Sequence, residues 1–101
     1  MITINTKKIM RRCNFYSDDE DDVTEFNDLI DYAETIIQSY IGVDVNKLND
    51  KDTKLYVFAV QEFVYSLFIN RGALSDDKPE LTPYIKNILF HLSLNGGCIN
   101  G

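Results

Sequence analysis

The stretch Leu55 to Ile69 reads LYVFAVQEFVYSLFI, and only Gln61, Glu62 and Ser66 interrupt it with clearly polar side chains. Wound as a helix, its apolar positions face nearly every direction rather than one stripe. A helix apolar all round is enclosed by other elements, not laid on a surface. A membrane span needs ~20 mostly apolar residues; this run is shorter and carries Glu62. It is therefore read as the central helix of a small bundle, and the rest of the chain must supply its cover.

The chain has 101 residues, enough for one domain that buries roughly 65% of its unfolded surface. That suffices for one modest core without metals or disulfides. Ahead of the central helix, Thr6 can cap a short helix with Ile9, Met10 and Cys13 on one side and Lys7, Lys8, Arg11 and Arg12 mostly on the other. Val23, Phe26, Leu29, Ile30, Ala33, Ile36, Ile37 and Tyr40 recur at three and four residues, which predicts an amphipathic helix from about Asp22 to Tyr40. Ser17 with Glu20, and Asp22 with Glu25, have capping-box spacing at its start, and Gly42 is placed to end it in a left-handed conformation. The linker Val43 to Asn49 favours turns, with room for an extended piece at Val43 to Val45.

Asp50 or Asp52 is expected to cap the central helix, which runs to about Asn70 and is stopped by Gly72. A loop, Ala73 to Leu81, leads to Thr82-Pro83, a helix start with Thr as cap and Pro in the first helical position. The last helix carries Tyr84, Ile85, Ile88, Leu89 and Leu92 on one face. The fold expected is all-α: a bundle of four helices, the first short, around the central apolar one. Residues 1–93 form a single domain in this reading, and residues 94–101, with three glycines, a flexible C-terminal tail.

The net charge of −6 argues against a general nucleic-acid binder, which needs a basic face to displace phosphate counterions. The charge is uneven. Lys7, Lys8, Arg11 and Arg12 make the N-terminal segment basic, and Asp18, Asp19, Glu20, Asp21 and Asp22 follow as an unbroken acidic run. The basic cluster reads as a solvated helix face, or as a contact for an acidic partner such as a neighbouring copy's acidic run. The acidic run lacks the order of a calcium-binding EF-hand loop: no glycine stands sixth and no glutamate twelfth from Asp18, Asp19 or Asp21.

Cys13 and Cys98 have no metal-ligand spacing and read as free thiols of a reducing compartment. The start lacks the pattern of a signal peptide. His91 reads as a half-exposed or hydrogen-bonded structural histidine, and no arrangement for nucleophilic catalysis is visible. Gly96-Gly97 is not a strand-to-helix phosphate loop. No catalytic, cofactor-binding or metal-binding residue is expected, and the chain is expected not to be an enzyme.

Taken in order, the pieces form a pattern: a short basic helix, the acidic DDEDD run, LIDYAETIIQSYIG (Leu29 to Gly42), FVYSLFINRGAL (Phe63 to Leu74) and LTPYIKNILFHL (Leu81 to Leu92). This order resembles the gp6-like head-tail connector (adaptor) proteins of tailed bacteriophages, over roughly Thr6 to Leu92. Order and spacing together carry the resemblance, not any single motif. The chain departs from the family in having Gly72 after Asn70-Arg71, and His91 with Ser93-Leu94-Asn95 where a Tyr-Arg pair is frequent.

The resemblance implies a structural virion protein at the junction of capsid and tail, met in the host cytoplasm during assembly. Such proteins form a ring, usually twelvefold, below the portal protein. The ring extends the DNA channel and offers a platform for the stopper or tail-completion protein, and double-stranded DNA passes without sequence-specific contact. No membrane is involved. Candidate subunit or portal contacts are Lys7, Lys8, Arg11, Arg12, Asn70, Arg71, Leu94 and Ile99, with Arg71 as a polar anchor at a helix C-terminus. Asp18, Asp19, Glu20, Asp21 and Asp22 are candidate channel-facing acids. Two other readings compete: a small cytoplasmic helical interaction module, and a DNA-binding regulator, which fits poorly because the later helices carry few charges.

Overall fold

A computed structural model of the chain describes residues 4–69 and 81–98, with backbone alone at 95–98. Four α-helices and one short 3-10 turn account for it: α1 (Thr6–Arg12), α2 (Glu20–Ile41), the turn at Val45–Lys47, α3 (Asp50–Ile69) and α4 (Pro83–Cys98). Among the described residues there is no strand. The all-α bundle expected from periodicity is the fold observed.

The helix ends follow local chemistry, one residue away from several of the expected positions. Asn5, not Thr6, caps α1, its side chain accepting from the Lys8 amide. Thr6 is the first helical residue, and its hydroxyl bonds Asn27 of α2. Asn14 closes α1 in the left-handed region at φ 57°, where Asn is among the few tolerated side chains. The Phe15 amide reaches back to the Met10 carbonyl and the Asn14 amide to that of Arg11, the paired bonds of a Schellman ending.

Asp19 caps α2, which begins at Glu20, two residues ahead of the expected start, and Gly42 ends it with φ 65° as the sequence predicts. Asn49 caps α3 through the Asp52 amide at 2.7 Å, displacing the expected Asp50 or Asp52. The linker holds a 3-10 turn capped by Asp44 instead of an extended piece. Thr82 caps α4 through the Ile85 amide at 3.2 Å, and Pro83 opens it. α4 runs to Cys98, so it takes in five residues of the segment expected as a tail. The expected helix stop at Gly72, the loop from Ala73 and the last three residues of the tail lie outside the described residues.

α3 packs against each of the other three helices. Tyr56, Ala59, Val60, Phe63 and Val64 are fully buried, and one core joins them to Ile9 and Met10 of α1, to Phe26, Ile30, Ala33 and Ile37 of α2, and to Ile85, Leu89 and Leu92 of α4. Each large side chain so buried is worth about 1.5–3 kcal/mol. Phe15, Phe26 and Phe68 form a ring triad with centroids 5.4–5.9 Å apart that seals the α1–α2 turn onto the end of α3.

Two aromatic positions differ from expectation. Tyr40 and Tyr84, expected inside, are 51% and 59% exposed. Ile41 takes the inward position on α2, because Phe26, Ile30, Ala33, Ile37 and Ile41 form a tighter stripe at spacings of three and four. The enclosure of α3 also leaves a strip open, where Lys51, Lys54 and Phe58 reach the surface. Phe63→Ala is expected to cost about 3–5 kcal/mol, a large fraction of the roughly 5–15 kcal/mol that holds a domain of this size folded. Phe58→Ala, a partly covered ring paired edge-on with Tyr84, should cost less, about 1–2 kcal/mol, both read by urea unfolding.

Candidate functional site

The basic residues of α1, expected as one surface, are divided by the fold into two pairs. Lys7 is tied to the following turn, its ammonium 2.7 Å from both the Ser17 carbonyl and Asp18. Arg12 lies flat against α3: its Nε and Nη2 grip the two oxygens of Glu62 at 3.0 and 2.9 Å. The guanidinium carbon stands 3.8 Å above the Tyr65 ring. That hydrogen-bonded Glu62 pair raises the pKa of Arg12 further. Lys8 and Arg11 are exposed and make no ion pair among the described residues. Of the four expected contacts, Lys7 and Arg12 are thus engaged within the molecule, while Lys8 and Arg11 remain available to a partner.

The acidic run is organised by the start of α2. Asp19 accepts from the Asp21 amide at 2.8 Å, and Asp22 accepts from the Ser17 hydroxyl at 2.7 Å. Glu20, Asp21 and Asp22 occupy the first helical turn, where the macrodipole favours negative charge. Asp18 is held below the usual carboxylate range by its hydrogen bond from Lys7. Asp19, Glu20 and Asp21 are exposed and form no ion pair among the described residues. Asn70, Arg71 and Ile99 lie outside the described residues. Leu94, on the outer side of α4, is 50% exposed.

Four further polar groups complete the picture: Asp52, His91 and Cys13, expected as a cap, a structural histidine and a free thiol, and Tyr56, which sequence reasoning did not single out. Asp52, in the first turn of α3, is 2% exposed; His91 Nε2 of α4 stands 3.8 Å from its Oδ1. The lone histidine is half-exposed, as expected. Tyr56, buried at the α2–α3 contact, donates to Glu34 at 2.8 Å and accepts from Gln38 at 2.9 Å. Burial, with Glu34 beside it, pushes its phenol well above the ordinary tyrosine range. Cys13 is buried, and desolvation raises its thiol pKa. Among the described residues no group of three His, Cys, Asp or Glu could hold a metal ion, and no helix is long and apolar enough to cross a membrane.

The surface is shaped by open grooves. One of about 390 Å3 lies between α2 and the end of α3, floored by Phe26, Leu29 and Phe68 and rimmed by Glu25 and Asp28. Another of about 410 Å3 lies between α1 and α3, lined by Lys8, Thr53, Lys54, Val57, Phe58 and Gln61. The outer face of α4 carries Tyr84, Phe90 and Leu94, 59%, 63% and 50% exposed, with Lys86 its one charged residue. The chain matches no family model, no curated protein and no solved structure.

Arg12→Ala removes a bidentate pair and a cation–π contact. Solvent screening at the surface keeps the expected loss to about 1 kcal/mol, against a change within about 0.5 kcal/mol for Arg11→Ala. The Asp18 carboxylate should titrate below its ordinary value in a carboxyl-detected NMR titration and return to it in Lys7→Ala. Its stabilising contribution is present above the ordinary carboxylate pKa and is lost as pH falls through the lowered one. In a Cys98→Ser background, Cys13 should react with a thiol reagent far more slowly in the native protein than in urea, since a buried protonated thiol is a poor nucleophile.

Proposed function

We propose that this chain is a structural virion protein, a head-tail connector that forms a ring below the portal, extends the DNA channel and seats the stopper or tail-completion protein. The observation that carries the reading is the order of elements within one bundle. A basic α1, an acid-capped α2 ending in Tyr-x-Gly, an apolar α3 and a proline-entered α4 follow one another, the order on which the sequence resemblance to the gp6-like connectors rests.

The surface chemistry supports the same reading. Tyr84, Phe90 and Leu94 give α4 an outer face with apolar side chains and a single charge. Phe90 and Leu94, four residues apart, are neighbours on that face, and adjoining exposed apolar side chains suit a contact with another subunit. A subunit whose working parts are its outer faces suits head-to-tail packing around an axis, a heterologous contact that closes into a ring.

The test is co-expression with the tagged portal protein of the same phage genome. The wild-type chain is expected to co-purify with the portal, and Phe90→Asp/Leu94→Asp to lose it while keeping the same thermal unfolding. A wild-type chain that neither co-purifies with the portal nor occurs in purified particles would overturn the reading.

A further inference from the structure

The groove between α1 and α3 differs from the rest of this acidic molecule. Lys8 and Lys54 line it from opposite helices, no carboxylate lines it, and neither lysine makes an ion pair among the described residues. Glu62, beside Gln61, is taken up by Arg12. Phe58, on the groove wall, is 37% exposed and meets the exposed Tyr84 ring edge-on at 6.0 Å. Two unpaired cations beside exposed aromatic rings fit an occupant that is anionic and carries an aromatic or apolar group.

The chain itself carries such a segment. Asp19, Glu20 and Asp21 are exposed without a cation, and Tyr16 just before them is 75% exposed. In its own molecule the segment is held away from the groove's lining. Asp18 is bound to Lys7, and Asp19 is fixed as the cap of α2. Lys7 and Arg11 line a groove with Tyr16, Ser17 and Asp18, Arg11 without an ion pair among the described residues, whereas Lys8, about 100° further round α1 than Lys7, lines the groove against α3. The two complementary surfaces of one chain line different grooves and are not in contact within one molecule.

We infer that the groove of Lys8, Lys54 and Phe58 receives the Tyr16–Asp21 segment of a second copy of this chain, making a head-to-tail contact. The inference deepens the ring reading and rests on it for choosing a copy of the chain as occupant. The acidic run then faces a neighbouring subunit, not the channel. Because donor and acceptor surfaces are distinct, the contact repeats around an axis instead of closing as a twofold dimer. Its charges are exposed, so salt weakens it over a screening length of ~8 Å at physiological ionic strength.

The experiment is a charge swap read by sedimentation velocity at low salt. Lys8→Glu/Lys54→Glu makes the groove acidic, and Glu20→Lys/Asp21→Lys makes the inserting segment basic; circular dichroism checks that both fold. The wild type should self-associate in a salt-sensitive way, each variant alone about tenfold more weakly, equivalent to about 1.4 kcal/mol. An equimolar mixture of the two variants should recover the wild-type association. Both variants keep a net negative charge, so generic attraction between them does not produce that recovery.

A wild type that stays monomeric up to millimolar concentration, variants that associate like the wild type, or a mixture without recovery would each overturn the inference. So would a groove whose reversal abolishes binding of short duplex DNA and leaves self-association unchanged. Portal binding retained with no swap behaviour removes this inference alone; swap behaviour with no portal binding removes the connector reading alone.

Discussion

Burial of α3 is the constraint on which the rest of the structure depends. Tyr56, Phe63, Val60 and Val64 have no exposed surface, and no single neighbour can cover a helix apolar in so many directions. α1, α2 and α4 each present an apolar stripe to it; the outward sides of α1 and α2 are mostly polar, and that of α4 keeps Tyr84, Phe90 and Leu94 exposed. The interior is filled by side chains, and the grooves lie open on the surface. Chemistry available to a partner is carried by the outer faces of the four helices.

The second organising influence is local electrostatics at helix ends. The acidic run sits where four backbone amides of α2 lack helical partners, and it is anchored there by Asp19 and by Ser17 with Asp22. The basic side chains of α1 then sort themselves by direction. Lys7 turns to the acids that follow it, and Arg12 turns to Glu62 and Tyr65 on α3. Two of four cations are committed within the fold, leaving Lys8 and Arg11 to line two different grooves. Charge that looks like a single patch in the chain is divided in space, so one molecule can display complementary surfaces that never touch.

Much of the architecture was legible because it follows from period and punctuation. Gly42, Thr82 and Pro83 mark helix boundaries by backbone chemistry that few other residues supply, and the stripe from Phe26 to Ile37 announces the buried side of α2. Less legible were choices between neighbouring residues of similar chemistry. Asn5 and Thr6, or Asn49 and Asp50, are all competent caps, and tertiary packing decides which is used. Tyr40 and Tyr84 fit the apolar spacing but have amphipathic rings that tolerate solvent. The Arg12–Glu62 pair spans fifty positions, and nothing in local spacing could reveal it. The Lys8–Lys54 groove was hidden for the same reason: its two cations meet only when α1 folds across α3.

A chain whose interior is closed and whose outer faces are differentiated is here taken to act by joining other subunits. A reconstruction of the capsid vertex of purified particles, at a resolution that separates helices, tests this most directly. The account predicts a ring of these four-helix bundles beneath the portal, each touching two neighbours through unlike surfaces. A vertex with no density for this chain, or copies meeting through twofold-related faces, would contradict it.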